Sequence, residues 1–168
     1  MRAFVFPGQG SQFPGMGRDL AGAFPDAKHV FEEVDDALSQ KLTKIMFEGP
    51  EADLNLTENT QPALMAVSMA VVRVLEKQGG ISIASACKFV AGHSLGEYSA
   101  LTAAGALALS DTAKLLKLRG QAMQEAVPVG KGAMAAILGP DFDAVKAIAA
   151  DAAAQTGEVC TAANDNSP

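Results

Sequence analysis

The stretch KFVAGHSLGEYSAL, residues 88–101, decides the fold of this chain. Its apolar run at residues 89–91 predicts a strand, and the small residues from about 95 to 104 predict a helix. Between the two lies GHSLG, residues 92–96, in which one serine stands between two glycines. A strand that turns sharply into a helix is typical of an α/β fold.

The serine of this turn, Ser94, fits the Gly-x-Ser-x-Gly pattern of a nucleophile elbow. Such a turn holds the serine in a strained conformation, and the flanking glycines remove Cβ atoms that would clash. The hydroxyl then projects at a helix N-terminus, where free backbone N–H groups can stabilise an oxyanion. We therefore predict that Ser94 is a catalytic nucleophile; the alternative is a purely structural turn between two glycines.

A serine nucleophile needs a base to remove its proton, and the chain has two histidines. His29 is expected on the polar, exposed face of its helix. His93 directly precedes Ser94, and neighbours on an extended strand point to opposite faces, so His93 is badly placed to be the base. We expect His93 to shape the pocket or the elbow, and neither histidine to serve as the base.

Predicted strands and helices alternate on both sides of the elbow, which favours an α/β fold with a mainly parallel sheet. The large subdomain of this fold is expected over residues 1–127. Its other predicted elements are a buried strand at 2–6, a glycine-rich loop at 8–17, an amphipathic helix at 26–42, a core helix from 60 to 78 with Pro62 in its first turn, and a helix at 111–126 capped by Ser110.

The pattern changes after Pro128. Residues 132–138 (GAMAAIL) and 158–163 (EVCTAA) predict strands, and residues 141–155 predict an alanine-rich helix between them. This βαβ unit is expected to begin a second, smaller subdomain over residues 128–168.

Arg119 is expected in the middle of an apolar helix face that Leu115, Ala122 and Ala126 define at helical spacing. A guanidinium on a buried face needs an anionic partner. One interpretation is an internal salt bridge, or a side chain that extends along the surface into water. The other is an arginine whose planar fork pairs with the carboxylate of a substrate.

Composition argues against several classes of function. The chain carries 13 Lys and Arg against 19 Asp and Glu, a net charge of −6, so a nucleic acid partner is not expected. Cys87 and Cys160 lack the spacing of a metal site and are expected to be reduced, buried thiols. The longest apolar stretch, residues 62–72, is too short to span a membrane, and no signal peptide is expected, which favours a cytoplasmic protein.

The loop at residues 8–12, GQGSQ, follows the first predicted strand. It lacks the lysine of a phosphate-binding loop, and Phe13 stands where a dinucleotide fingerprint would have its third glycine. Nucleotide binding is therefore not expected. A loop in this position can instead supply an oxyanion-hole N–H beside the elbow.

These motifs together resemble the malonyl-CoA:acyl carrier protein transacylases of bacterial fatty-acid synthesis. The matching segments are FPGQGSQ at residues 6–12, TENTQPAL at 57–64, GHSLGEYSAL at 92–101, LRGQAM at 118–123 and the NSP ending at 166–168. The resemblance implies a hydrolase-like α/β large subdomain with an inserted ferredoxin-like small subdomain, of which residues 128–168 would form the first half.

The resemblance also implies acyl transfer in two steps. Ser94 would attack the malonyl thioester and release coenzyme A, and the phosphopantetheine thiol of acyl carrier protein would then take the malonyl group. The backbone N–H groups of Gln9 and Leu95 would form the oxyanion hole. Arg119 would pair with the malonyl carboxylate, and His93 would help to form the substrate pocket. No cofactor is implied, because the coenzyme A thioester is the substrate.

The chain also departs from this family. Similar transacylases pair the serine with a histidine well downstream, and this chain ends before that position. A ferredoxin-like βαββαβ subdomain would be cut halfway, and the last strands of the large sheet would be missing. We therefore expect a fragment that turns over poorly without its own C-terminal half. The alternatives are an α/β serine hydrolase or thioesterase, and an inactive truncated module that binds the carrier protein.

Overall fold

A computed structural model describes residues 1–166 of the chain. Over these residues the backbone forms two strands and nine helices. The strands are β1 (Ala3–Phe6) and β2 (Phe89–Gly92). The helices are α1 (Arg18–Ala23), α2 (Pro25–Leu38), α3 (Leu42–Glu48), α4 (Glu51–Leu54), α5 (Thr57–Lys77), α6 (Ile83–Ala86), α7 (Leu95–Ala103), α8 (Leu109–Ala126) and α9 (Phe142–Thr156).

The chain divides into two compact units. The first is Met1–Val129 and contains both strands and helices α1 to α8, and the second begins at Gly130 and contains α9. The predicted domain boundary after residue 127 lies next to this division. The interpretation of the units as an incomplete large subdomain and half of a small one stays a prediction.

The two strands pair in parallel, with Ala3 opposite Phe89 and Phe6 opposite Gly92. Parallel strands connected through helices confirm the predicted α/β fold. The register brings the end of β1, where the glycine-rich loop begins, beside the elbow that follows β2. The prediction that β1 is buried holds for one face only: Phe6 is buried, whereas Val5 projects from the opposite face and is 74% exposed.

Helix α5 is the centre of the first unit. Every residue from Asn59 to Ala66 is buried, because α2, α7 and α8 pack around this helix. The prediction of a core helix is therefore confirmed. Its predicted start is wrong, however, since α5 begins at Thr57 and Pro62 lies inside the helix rather than in its first turn. A proline at this position cannot donate to the carbonyl of Glu58, so that α5 lacks one of its internal hydrogen bonds.

The helix predicted at residues 26–42 ends earlier, at Leu38. Ser39 adopts the left-handed conformation, with φ 49°, which stops α2 before the chain continues as α3. The buried Asp35 carboxylate accepts hydrogen bonds from the backbone N–H (2.9 Å) and hydroxyl (2.6 Å) of Thr43. These bonds satisfy a free N–H group at the start of α3 and favour the break between the two helices.

The predicted cap of α8 is also wrong. The helix begins at Leu109, so Ser110 lies within its first turn, and the capping position belongs to Ala108, whose side chain has no polar atom to accept a hydrogen bond. Over residues 1–166, no helix combines the length and the apolar character that crossing a membrane requires.

In the second unit, α9 confirms the alanine-rich helix that the sequence predicted. The Asp141 side chain caps this helix by accepting a 2.8 Å hydrogen bond from the Ala144 N–H. The strands predicted at residues 132–138 and 158–163 are absent from the described structure, and Val159 is 92% exposed. A strand is held by hydrogen bonds to a neighbouring strand, and neither segment pairs with one here. Residues 167 and 168 of the NSP ending lie outside the described residues.

Candidate active site

Ser94 lies at the junction of β2 and α7, where it is the N-cap residue of the helix. Its backbone has φ 55° and ψ −111°. A positive φ in a residue with a side chain is strained and persists only where the surrounding structure enforces it. The structure thus contains the sharp strand-to-helix turn that the Gly-x-Ser-x-Gly pattern predicted.

Close packing around the two flanking glycines enforces this turn. A Cβ atom on Gly92 would overlap the backbone of Gly96 and Glu97. A Cβ atom on Gly96 would overlap the carbonyl groups of Phe6 and Pro7, at the end of β1. Both glycines are therefore required because backbone lies where a side chain would begin.

Arg119 contacts the Ser94 hydroxyl directly. Its Nη2 donates a 3.0 Å hydrogen bond to Ser94 Oγ, and its Nη1 donates a 2.6 Å hydrogen bond to Gln61 Oε1. The guanidinium also lies 5.8 Å from the centre of the Tyr98 ring, within range of a cation–π contact. Among residues 1–166, no carboxylate lies within ion-pair distance of this arginine, so its partners here are neutral.

The apolar face predicted for α8 is wrong. Leu115, Ala122 and Ala126 are all exposed, and Arg119 is half-buried. The residues of α8 that are buried are Leu109, Thr112, Ala113, Leu116 and Gly120. Arg119 therefore lies at the edge of the buried face rather than in its middle, and this is why its guanidinium can reach Ser94 while remaining partly accessible.

A close approach of two helices brings Arg119 to its partners. A Cβ atom on Gly120 would overlap the backbone of Glu58 and lie 2.8 Å from the carbonyl oxygen of Thr57. Helix α8 can approach the start of α5 only because residue 120 is glycine. This approach places Arg119 within hydrogen-bond distance of Gln61, on the next turn of α5.

Gln61 and Thr57 are site residues that sequence reasoning missed. Gln61 is fully buried, and its Nε2 donates to Thr57 Oγ1 at 3.0 Å and to Met123 Sδ at 3.3 Å. Thr57 Oγ1 in turn donates to Gln9 Oε1 at 2.9 Å. A glutamine inside a helix expected to be buried all round could have indicated this role, because a buried amide needs hydrogen-bond partners.

The two predicted oxyanion-hole residues lie in different segments, Leu95 in the elbow itself and Gln9 in the loop after β1. Leu95 is the first residue of α7, and the N–H groups of a first helical turn have no partner within the helix. The loop that contains Gln9 begins directly after β1. The His93 N–H donates to Phe6 O at 3.2 Å, and this bond joins the end of β1 to the elbow. Gln12 holds the same loop by accepting from the Gly10 N–H at 2.8 Å. The function of both backbone groups as donors stays a prediction.

The structure places the two histidines in different surroundings. His29 is exposed on α2, as the sequence predicted. His93 is also exposed and lies against the loop after β1, where a Cβ atom on Gly8 would be 2.5 Å from His93 Nδ1. This packing is compatible with a role of His93 in shaping the elbow, which stays a prediction.

The two cysteines differ in their exposure. Cys87 is half-buried and its Sγ donates to the Ile83 carbonyl at 3.3 Å, whereas Cys160 is exposed, so the expectation of two buried thiols is wrong for Cys160. Within residues 1–166, no cluster of three or more His, Cys, Asp or Glu side chains could hold a metal ion.

The family of proteins described as "acyl transferase domain" matches residues 3–164 of this sequence. The chain belongs to the acyl transferase domain family. Two curated relatives, both called malonyl CoA-acyl carrier protein transacylase, come from Bacillus subtilis strain 168 and Escherichia coli strain K12. They are 50% and 49% identical over 166 residues, which is 99% of this chain but only 50% and 52% of theirs. This acyl transferase domain thus spans about half the length of the curated relatives it matches.

Solved structures give the same result. The acyl-carrier-protein-S-malonyltransferase of Bartonella henselae superposes with a TM-score of 0.91 and 59% identity, over 99% of this chain and 52% of that one. A malonyl-transacylase in complex with its type II PKS acyl-carrier protein superposes with a TM-score of 0.88 and 46% identity, again over 99% of this chain and 52% of that one. The resemblance predicted from the sequence motifs is confirmed, and the fold is that of the transacylases.

Proposed function

We propose that this acyl transferase domain transfers a malonyl group from coenzyme A to the phosphopantetheine thiol of an acyl carrier protein, through a malonyl ester of Ser94. One observation carries the proposal: the elbow serine is hydrogen-bonded to an arginine that has no carboxylate partner among the described residues. The named activities of the relatives and of the solved neighbours support the same reaction.

In the first step, Ser94 Oγ attacks the thioester carbonyl carbon. An O–C bond forms, the C–S bond breaks, and the sulfur of coenzyme A leaves with the proton that the serine hydroxyl lost. The backbone N–H groups of Gln9 and Leu95 stabilise the charge that develops on the carbonyl oxygen. In the second step the sulfur of the carrier thiol attacks the ester carbon: a C–S bond forms, the C–O bond to Ser94 breaks, and the proton of the carrier thiol passes to Ser94 Oγ.

Arg119 selects the acyl group by its charge. The guanidinium has five donors and a fixed positive charge, and a carboxylate is a stronger acceptor than the neutral oxygens it contacts now. A malonyl carboxylate therefore competes with Ser94 Oγ for Nη2, while Gln61 retains Nη1. An acetyl group offers no such acceptor, so it gains nothing from the arginine.

The base that removes the proton of Ser94 comes, in this proposal, from polypeptide equivalent to the C-terminal half of the relatives. Neither His29 nor His93 was expected to serve, and the chain spans about half of each relative. Large apolar side chains are exposed on both strands and on α8: Val5 (74%), Phe89 (59%) and Leu118 (63%). Further polypeptide that packs over these side chains would remove this apolar surface from water.

The proposed reaction requires no cofactor, because the thioester already carries an activated acyl group. We place it in the cytoplasm, as the sequence predicts. The acyl carrier protein is the proposed partner, since one solved neighbour is a transacylase bound to its carrier protein.

Intact mass spectrometry tests the proposal. The chain is incubated with malonyl-CoA, alone and with the C-terminal half of the Bartonella henselae relative added as a second polypeptide. We expect a malonyl mass increment on this chain, faster when the second polypeptide is present, absent in Ser94→Ala and discharged by holo acyl carrier protein. Release of free malonate without a carrier thiol would instead indicate a hydrolase. Carrier binding without any increment would indicate a module without chemistry.

A further inference from the structure

A continuous series of side-chain hydrogen bonds runs from the loop after β1 to the elbow serine. Thr57 Oγ1 donates to Gln9 Oε1 (2.9 Å), and Gln61 Nε2 donates to Thr57 Oγ1 (3.0 Å). Arg119 then donates to both Gln61 Oε1 (2.6 Å) and Ser94 Oγ (3.0 Å). The series joins four separate parts of the chain: the loop after β1, the start of α5, α8 and the elbow.

The chemistry of the arginine fixes the direction of the two bonds that the Gln61 side chain makes within this series. A guanidinium can only donate, so Gln61 must direct its carbonyl oxygen toward Arg119 and its NH₂ group toward Thr57. The Thr57 hydroxyl accepts that bond and has one hydrogen left, which it donates to the Gln9 amide oxygen. Reversal of the Gln61 amide would place its NH₂ group against the guanidinium, one donor against another.

Gln61 cannot readily adopt another orientation. Gln61 is fully buried and its Nε2 also donates to Met123 Sδ, so its rotation would leave buried polar atoms without partners. Thr57 and Gln61 lie four residues apart on α5, on the same face of the helix. The Thr57 carbonyl lies under Gly120, where α8 approaches most closely.

We propose that Thr57 is a positioning residue whose hydroxyl sets the orientation of Arg119 and of the loop that carries Gln9 as one unit. The inference rests on the proposed function, because it assigns the arginine to the acyl carboxylate and the loop to the oxyanion. Thr57 itself would contact neither the acyl carboxylate nor the oxyanion. It holds Gln61, and Gln61 holds the side of the guanidinium that faces away from Ser94.

Acylation rates test this role. We compare Thr57→Val, which keeps the shape but removes the hydroxyl, with Thr57→Ser, which keeps the hydroxyl, in the chain completed with the second polypeptide. Acylation of Ser94 is followed by intact mass with malonyl-CoA and with acetyl-CoA. We expect Thr57→Val to lower the malonyl rate about tenfold, because the buried Gln61 amide loses one of its hydrogen-bond partners, and the acetyl rate less. Thr57→Ser should stay close to the parent.

A double-mutant cycle separates positioning from a general loss of structure. If Thr57 acts on the carboxylate through Arg119, Thr57→Val should cost less of the malonyl rate once Arg119→Ala is present, because only the part that acts through the Gln9 loop then remains. Equal losses for both thioesters, and equal losses with and without Arg119, would overturn the proposal.

A spectroscopic measurement that needs no activity keeps the two proposals distinguishable. In protein labelled with ¹⁵N-arginine, a guanidinium held on two sides gives resolved Nη–H signals, which are assigned to Arg119 by their absence in Arg119→Lys. We expect these signals in the parent and in Thr57→Ser, and their collapse in Thr57→Val. Collapse without any acylation of the parent would support the positioning role and contradict the proposed function. Unchanged signals in Thr57→Val would contradict the positioning role even if Ser94 is acylated.

Discussion

The elbow around Ser94 and the segment beyond Gly130 differ in what holds their backbones. At the elbow, β2 pairs with β1, and the flanking glycines pack against backbone at the end of β1 and at the start of α7. In the second unit α9 is held by its own hydrogen bonds and the Asp141 cap, and Ala149 is its buried residue. The difference shows that a strained turn can be rigid where neighbouring backbone encloses it, whereas an unstrained helix can remain largely exposed.

The largest effect is expected at the elbow serine. Ser94→Ala removes the only oxygen that can form the proposed ester, so malonyl loading should fall by at least about 10³-fold. The measurement is the mass increment after incubation with malonyl-CoA in the completed chain. Far-UV circular dichroism should match the parent, since alanine retains the Cβ of serine. Normal loading in this variant would show that another residue is the nucleophile.

The next effect tests whether packing holds the elbow. Gly96→Ala places a Cβ against the carbonyl groups of Phe6 and Pro7, so we expect a loss of about 3 kcal/mol in the free energy of unfolding. Gly22→Ala in α1 is the matched control, because nothing lies within 4 Å of its Cβ, and should stabilise the protein by about 0.5–1 kcal/mol. Urea unfolding measures both. Equal changes in the two variants would contradict the packing argument.

A smaller effect is expected in the second unit. Asp141→Ala removes the side chain that accepts the Ala144 N–H, and loss of such a cap costs about 1 kcal/mol of helix stability. Amide hydrogen exchange should become faster in α9, while the amides of α5 stay as protected as in the parent. Asp141→Asn, which keeps an accepting oxygen, is the control. Faster exchange in α5 as well would show that the two units unfold together.

The smallest effect concerns one exposed ion pair of α9. Lys146 lowers the pKa of Asp143 from its ordinary value of 3.8. The larger cause is the hydrogen bond from Lys146 Nζ to Asp143 Oδ1 (2.8 Å), and the smaller is the positive charge of Lys146. Any stability from this pair is thus present above pH 3.8 and is lost as the pH falls through the lower pKa of the folded state. A carboxyl ¹³C titration should show the lowered pKa, and Lys146→Met should return it toward the ordinary value. An unchanged pKa in that variant would contradict the assignment of its cause.

The sequence predicted those features of the fold and site that depend on neighbours along the chain. The elbow, the core helix α5 and the helix α9 follow from short patterns, and each is found. The contact between Arg119 and Ser94 was not predicted, because it depends on how α8 packs beside the elbow, and the predicted apolar face of α8 consists of residues that are exposed. Gln61 and Thr57 were missed because their roles depend on how closely α8 approaches α5 at Gly120.

The two strands predicted in the second unit show where prediction from local sequence fails. Residues 132–138 and 158–163 have apolar, strand-like sequences, but a strand requires a partner for its backbone hydrogen bonds. The early end of α2 has a related cause, since Asp35 gains its bonds to Thr43 only after the chain has turned. Apolar periodicity predicts which residues favour an element, whereas tertiary hydrogen bonds decide where the element forms and ends.

The central claim is that Arg119, held beside Ser94, selects a carboxylated acyl group. The most direct test is the ratio of malonyl to acetyl acylation rates at Ser94, in the parent and in Arg119→Ala, with the chain completed by the second polypeptide. We expect the parent to prefer malonyl-CoA. In Arg119→Ala the ratio should fall by about 10- to 100-fold, as for the loss of charge-assisted hydrogen bonds, while the acetyl rate is retained. An unchanged ratio in Arg119→Ala would contradict the account.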